Sequence, residues 1–377
     1  MELNFSKTFV IFDTSSSGHH IEYIKHIIQY ATVSQHFRFI FVVPSMTVEQ
    51  VKGICDNCNI IFDSLPRHVS ERCNKSILML GSYYQAKYMG RYARKYHADE
   101  VIHIMLMHCL PFISFFMPKN TKVSGIIYRI YLYSYDKLPI RKRFEQKLLH
   151  CSIAWSDTIK YAFVLNDMES VEKLNKMFHT NKYKYIVDPF PTIDYIGKDI
   201  RTQLGITSDK KIFLHFGSLD VRKGTMIILD SLSYIPNEES KKYAFIFAGR
   251  ISLEIKKDFY KKIKDLQDRV LIIVKDKFLS YEELNDLCQT CDEILIPYSN
   301  TQQSSGVIGY SSQYGKPLVG PSDALLGELI RKYQLGLTVE NITPQSLANI
   351  YSCQLDRVSK NYVNTHKVID FNQALFE

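Results

Sequence analysis

The sequence predicts an α/β protein built from two doubly wound domains in series, each a parallel sheet with helices on both faces. Three observations carry this. The chain has 377 residues, longer than one hydrophobic core usually grows, which points to two domains of roughly 180 residues each. Short runs rich in β-branched and aromatic residues alternate with longer helical patterns, the signature of βαβ units. Two prolines in Val187-Asp-Pro-Phe-Pro191 interrupt the alternation near its midpoint, and a second set of strands then begins.

In the first half the pattern predicts strands over residues 8–13, 38–44, 60–65, 100–105, 122–130 and 161–165. In the second it predicts them over 212–217, 243–249, 270–275, 293–298, 317–320 and 336–339. The implied organisation is a first domain over 1–190, a linker over 191–207 and a second domain over 208–355. A helical segment over 356–377 is expected to pack back on the first domain. Ligands of open α/β sheets bind beyond the carboxyl ends of the strands, so the chemistry belongs on the loops that follow them.

Composition narrows the function classes. With 46% hydrophobic and 13% aromatic residues, and no tract rich in Pro, Gly or Ser, the chain folds throughout. Its net charge of +8 favours anionic partners such as nucleotides or phospholipid headgroups. No nucleic-acid reading motif accompanies that charge, so nucleic acid is not an expected partner. Residues 1–10 lack the basic flank and apolar core of a secretory leader, which predicts a cytoplasmic protein. The apolar window 101–118 is short for a membrane span and contains His103, His108 and Pro111, so it reads as a buried strand, a loop and a short helix. Cys55-x-x-Cys58 and Cys288-x-x-Cys291 have metal-ligand spacing, yet they lie in opposite halves and outside any turn-rich knuckle. Free thiols and no metal are expected.

Two loops carry the strongest chemical signal. Gly217-Ser-Leu-Asp-Val-Arg-Lys-Gly224 lies between a strand and a helix. Glycine permits a tight turn there, and Lys223 is set to reach a phosphate at the following helix N-terminus. A solvated turn with a surface lysine has the same pattern. In the second loop, Tyr298 to Tyr310, the run Ser304-Ser305-Gly306 opens a helix that Gly315 and Pro317 close. Hydroxyls and free amides at such a start suit a diphosphate, although an N-cap serine explains part of the run.

Taken together, the Gly-x5-Lys-Gly turn, a Pro-Tyr strand end, Ser-Gly-Val-Ile, Gly-Lys-Pro and the later Gly327-Glu328 form a recognisable series. It resembles the C-terminal domain of retaining GT-B glycosyltransferases of the family 4 type, related to glycogen and sucrose synthases. The resemblance covers about residues 211–340 well and the first 200 by pattern only. It implies two Rossmann-like domains facing a central cleft, and transfer of a sugar from a nucleotide diphosphate to a glycan or lipid-linked acceptor. Retention of configuration and independence of metal follow from the same resemblance.

It further implies that Lys223 contacts the donor diphosphate and that Ser305, Gly306 and Val307 cradle it, with Tyr298 and Ser304 beside them. Arg250, after a strand end, stands where relatives place a group near the nucleotide. In the first half, the loop Thr14 to Tyr23 makes Gly18, His19 and His20 candidates at the donor phosphates or the acceptor; a serine-capped helix start explains the same residues. Three positions depart from the pattern: Gln302 and Tyr310 replace a pair of glutamates, and Ser218 replaces an arginine. Gln302 can still hydrogen-bond sugar hydroxyls, so Lys223, His20 and Gln302 are the expected catalytic set. The alternative is a catalytically degenerate GT-B protein that binds a partner, and a nucleotide-sugar epimerase would share the fold. His108 is a further candidate, whereas His103 on its apolar strand reads as a satisfied core residue.

Finally, Lys137, Arg141, Lys142, Arg143 and Lys147 cluster with Leu138, Ile140 and Phe144. Such a segment is either a solvated helix face or a contact with the inner membrane surface, which would suit a lipid-linked acceptor.

Overall fold

The computed structural model describes residues 5–16, 19–51, 53, 57–75, 79–191 and 195–377. The chain divides into two compact units, residues 1–191 with 368–377, and residues 192–367.

The first unit holds a seven-stranded sheet in the order β3-β2-β1-β4-β5-β6-β7. Its strands are β1 (Lys7–Phe12), β2 (Phe37–Pro44), β3 (Ile60–Leu65), β4 (Glu100–His103), β5 (Lys122–Ile127), β6 (Ile159–Leu165) and β7 (Tyr183–Ile186), all parallel. Parallel strands are covered on both faces, so the central ones read as continuous apolar runs. Along β1, Val10 and Phe12 join the cluster on one face while Phe9 and Ile11 join the other. The second face is completed by the helix Val368–Phe376, whose Phe371, Leu375 and Phe376 pack with those of the helix His19–Val33. Asn372 Nδ2 donates to the His26 carbonyl at 3.0 Å, and the Phe376 ring meets Phe9 edge-on at 4.9 Å. Each such buried side chain contributes about 1.5–3 kcal/mol.

The second unit holds a six-stranded parallel sheet in the order β10-β9-β8-β11-β12-β13. Its strands are β8 (Lys211–Phe216), β9 (Tyr243–Ala248), β10 (Leu271–Lys275), β11 (Glu293–Leu295), β12 (Leu318–Pro321) and β13 (Gly336–Val339).

Both sheets reverse strand order beside their first strand. β1 pairs with β2 on one side and β4 on the other, as β8 pairs with β9 and β11. The carboxyl ends of β1/β4 and of β8/β11 are therefore topological switch points. The opposite ends are pinned in the same way in each sheet: Lys7 pairs with buried Glu100 at 2.5 Å, and Lys211 with buried Glu293 at 2.5 Å. Glu100 is also paired with Lys160 at 3.1 Å, so removal of Lys211, which leaves buried Glu293 without its cation, is the costlier change, typically about 3–5 kcal/mol.

Three expectations are corrected. β7 has no counterpart in the sequence reading, because a four-residue edge strand with exposed Lys184 shows little apolar patterning. The supposed linker is fastened to the helix Tyr281–Thr290: Tyr195 donates to Asp286 at 2.8 Å, and the Ile200 amide to Thr290 Oγ1 at 2.9 Å. The returning C-terminal segment is shorter than 356–377. The helix Asn361–Thr365 stays in the second unit, where Ser312 Oγ donates to the Ser359 carbonyl at 2.9 Å. Cys288 and Cys291 are buried free thiols whose pKa values burial raises; Cys55 lies outside the described residues.

Three histidines act as neutral pins. His215 lies between the Leu295 carbonyl, at 2.9 Å from Nδ1, and Thr225 Oγ1, at 3.0 Å from Nε2. A carbonyl only accepts, so Nδ1 carries the proton and Nε2 accepts. His103 has the reverse tautomer, Nδ1 accepting from the Met105 amide at 2.9 Å and Nε2 donating to Gln85 at 3.0 Å. His150 Nδ1 meets the Tyr183 hydroxyl at 2.7 Å. Burial lowers His103 to about 3, and His150 and His215 to about 4.

Between those values and the ordinary 6.5, the unfolded chain binds more protons than the folded one. Stability is therefore lost as pH falls through this window, by on the order of 2–3 kcal/mol per ring at its lower end. Urea unfolding followed from neutral pH towards pH 4 should show a falling midpoint, and His215→Gln should flatten the fall. A wild-type midpoint constant across that window would contradict the assignment.

Candidate functional site

At the β8/β11 switch point, backbone meets backbone. Gly217 and Gly249 have φ of +102° and +140°, and a Cβ on Gly249 would lie 1.8 Å from the Gly217 carbonyl oxygen. A Cβ on Gly224 would lie 2.1 Å from the Pro297 carbonyl oxygen. No side chain fits at these contacts, so the ends of β8, β9 and β11 approach one another directly. Ser299 then straps the two loops, its amide and hydroxyl both donating to the Arg222 carbonyl at 2.9 and 3.1 Å. Within the first loop the Lys223 amide donates to Asp220 Oδ1 at 2.8 Å, and Gly224 in the left-handed region opens the helix Thr225–Leu232.

This framework fixes Lys223. Its ammonium lies 4.9 Å from the centre of the Tyr298 ring and donates to the Tyr298 hydroxyl at 3.2 Å. Among the described residues no carboxylate forms an ion pair with it, so its charge is available to an anion.

The helix Val307–Tyr314 starts nearby. The Ile308 and Gly309 amides bond to the carbonyls of Ser305 and Gly306 at 3.0 and 3.1 Å, so the amides ahead of them face out of the helix start. Tyr310 packs edge-on against Phe216, at the end of β8, with ring centres 5.6 Å apart. In the preceding loop, Gln302 Oε1 is shut off from solvent with no hydrogen-bond partner among the described residues. Thr301 ties that loop to the helix Ala324–Lys332 by donating to Asp323 and accepting from the Leu326 amide, both at 3.0 Å.

Ser218 and Arg250 come together on a neighbouring cavity of about 520 Å³, with Lys256 and Asp276 on its wall. The Arg250 guanidinium sits 5.2 Å above the Phe278 ring. The sequence-derived residues of this unit thus fall into three groups at one sheet edge: Lys223 with Tyr298, the Ser304 to Val307 helix start with Gln302 and Tyr310, and Ser218 with Arg250.

The β1/β4 switch point of the first unit has its own polar constellation. Asp13, buried at the end of β1, accepts from the Ser15 amide at 3.1 Å and holds His20 Nδ1 at 2.7 Å. Nδ1 therefore carries the proton, and Nε2 of the neutral ring is left as an acceptor. The His20 ring stacks on Tyr128, with centres 6.4 Å apart, and Tyr23 donates to Asp188 at 2.6 Å. His108 is exposed by surface area yet crowded by protein, which lowers its pKa, and His20 adds to the effect. A cavity of about 850 Å³ opens alongside, its wall mixing the hydroxyl residues Ser15, Ser16 and Ser45 and the charged Arg67 and Glu71 with apolar Pro44, Met46 and Leu65.

Gly18 and the side chain of His19 lie outside the described residues. Asp13 was missed by sequence reasoning, which took it as the last residue of a strand. The available signal was an acid closing an otherwise apolar run. No group of three or more His, Cys, Asp or Glu side chains able to hold a metal ion occurs among the described residues.

No family model matches the sequence, and no curated protein matches it. Solved structures do. HepE from Anabaena, in complex with UDP and glucose, superposes with a TM-score of 0.68 over 98% of each chain at 16% identity. WaaG, a glycosyltransferase involved in lipopolysaccharide biosynthesis, gives 0.63 over 97% of this chain and 92% of its own at 12% identity. Sucrose-phosphate synthase from Thermosynechococcus elongatus gives 0.62 over 98% and 94% at 13% identity. The chain has the GT-B fold that these structures share.

Proposed function

We propose that the chain is a glycosyltransferase that moves a sugar from a nucleotide diphosphate, of the UDP class, to a hydroxylated acceptor. The observation that carries this reading is Lys223: an ammonium without a carboxylate partner, locked by glycine contacts beside a helix start at the switch point. HepE structures with UDP and with UDP-glucose support the donor class.

In this mechanism the charge that builds on the leaving diphosphate is met by Lys223 and by the amides of Gly306 and Val307. Those groups take the place of a divalent ion. The Gln302 amide hydrogen-bonds a donor-sugar hydroxyl in place of a carboxylate. Ser218 and Arg250 hold the nucleoside end, and Tyr310 stands where a ribose contact is expected. On the first unit, His20 accepts a hydrogen bond from the attacking hydroxyl, with Asp13 as its positioning residue. The cavity, with apolar as well as hydroxyl and charged walls, suits a glycan or the sugar end of a lipid-linked acceptor. The acceptor oxygen bonds to the anomeric carbon on the face that the diphosphate leaves, the bond from that carbon to the diphosphate oxygen breaks, and the hydroxyl proton passes to His20 Nε2, so configuration is retained, as the resemblance to family 4 enzymes implies. Replacement of both glutamates by Gln302 and Tyr310 also fits a protein that binds the nucleotide sugar without turning it over, and activity measurements separate the two.

Calorimetry with UDP, GDP and ADP should show selective binding, weakened at least about tenfold in Lys223→Ala, the loss expected for one charge-assisted contact. Absence of binding by the wild type to all three would contradict the donor site. Asp13→Asn should leave UDP affinity unchanged and slow the turnover of UDP-glucose by about a hundredfold, with His20→Gln equally slow. A wild-type rate in Asp13→Asn would remove the pair from the reaction.

A further inference from the structure

The helix Ile140–Trp155 is apolar on two opposite sides. Leu149 and Ile153 on its inner side belong to the core of the first unit. At about 100° per residue, Ile140, Phe144, Leu148 and Trp155 fall within roughly 80° of one another on the far side. They are exposed by 83%, 70%, 46% and 78%. A hydrogen bond of 2.7 Å between Ser114 and Ser156 ties the short helix Ile113–Phe116 to the end of this one, and brings Phe115, exposed by 79%, close to that end. Four large apolar side chains aligned in this way, with Phe115 exposed near their end, exceed the scattered exposure of an ordinary surface.

Cations edge the strip. Arg141 and Lys147 flank it on its two sides, and among the described residues neither forms an ion pair. Glu145 is the one acid of the helix. Arg143 differs from its neighbours: it donates to the carbonyls of Leu138, at 2.8 Å, and Asp136, and so holds the segment that precedes the helix. No helix among the described residues is long and apolar enough to cross a membrane.

We propose that the outer face of Ile140–Trp155 docks flat on an anionic phospholipid bilayer. The apolar strip enters the headgroup boundary, Trp155 and Phe115 sit at the interface that aromatic rings favour, and Arg141 and Lys147 meet lipid phosphates. The charge pattern selects this occupant over an apolar groove on another protein, which would leave the two cations at its rim unanswered. Bilayer docking stands or falls separately from sugar transfer.

Trp155 is the single tryptophan of the chain, so intrinsic fluorescence reports on this face alone. With vesicles of phosphatidylglycerol mixed into phosphatidylcholine, emission should shift to the blue and the protein should co-sediment. Pure phosphatidylcholine should give a much weaker effect, and added salt should reduce binding. The double variant Ile140→Ser, Phe144→Ser should bind about tenfold or more weakly, with an unchanged thermal midpoint showing that it still folds. Lack of both shift and co-sedimentation with the anionic vesicles would overturn the proposal, as would wild-type affinity in the double variant. A blue shift that grows with protein concentration without vesicles, together with a dimer mass by light scattering, would assign the face to a second copy of the chain.

Discussion

The candidate donor site depends on one steric constraint: the backbones of Gly217 and Gly249, and of Gly224 and Pro297, touch with no room for a Cβ. Closing that space draws the ends of β8, β9 and β11 together, and the Ser299 strap keeps them so. Lys223 inherits its place from this arrangement, with Tyr298 under its ammonium and Gly217 beside it. A Cβ at Gly217 would stand 2.7 Å from Lys223 Nζ, so the glycine is needed for the lysine's position as well as for the turn. A long flexible cation placed by backbone contacts loses little freedom when an anion arrives, which is what preorganised charge stabilisation requires.

The same topology works twice. In each unit a Lys–Glu pair pins the amino ends of the two strands that flank the switch point, Lys7 with Glu100 and Lys211 with Glu293. At the carboxyl ends the two units diverge chemically. The second presents a cation and a helix start, features that suit a diphosphate. The first presents a buried carboxylate behind an imidazole, features that suit a hydroxyl group. A buried neutral histidine stands behind each site, His103 on β4 and His215 on β8, and holds neighbouring elements in register without reaching the ligand side.

Much of this was legible in the sequence because parallel strands leave a strong apolar trace and because glycines at turns mark where backbones must approach. The Lys223 loop and the Ser305-Gly306 start carry their signal locally, within a few residues of one helix. Other features depend on partners outside their own strand or helix. Asp13 acquires meaning only when the chain folds back to put His20 against it, and Tyr195 looks like linker until Asp286, 91 residues on, fixes it. The helix Ile140–Trp155 shows why pattern alone is insufficient: both of its apolar sides fit a helical period, and only packing reveals which one faces the core. Arg143 was grouped with free basic residues, yet its guanidinium is engaged by two carbonyls of its own chain.

The most direct test of the central claim is a crystal structure of the protein soaked with UDP. The account predicts the terminal phosphate within hydrogen-bond reach of Lys223 Nζ and of the Gly306 and Val307 amides, with the nucleoside extending towards Arg250. A diphosphate bound elsewhere, leaving Lys223 on Tyr298 and the helix start unoccupied, would contradict it.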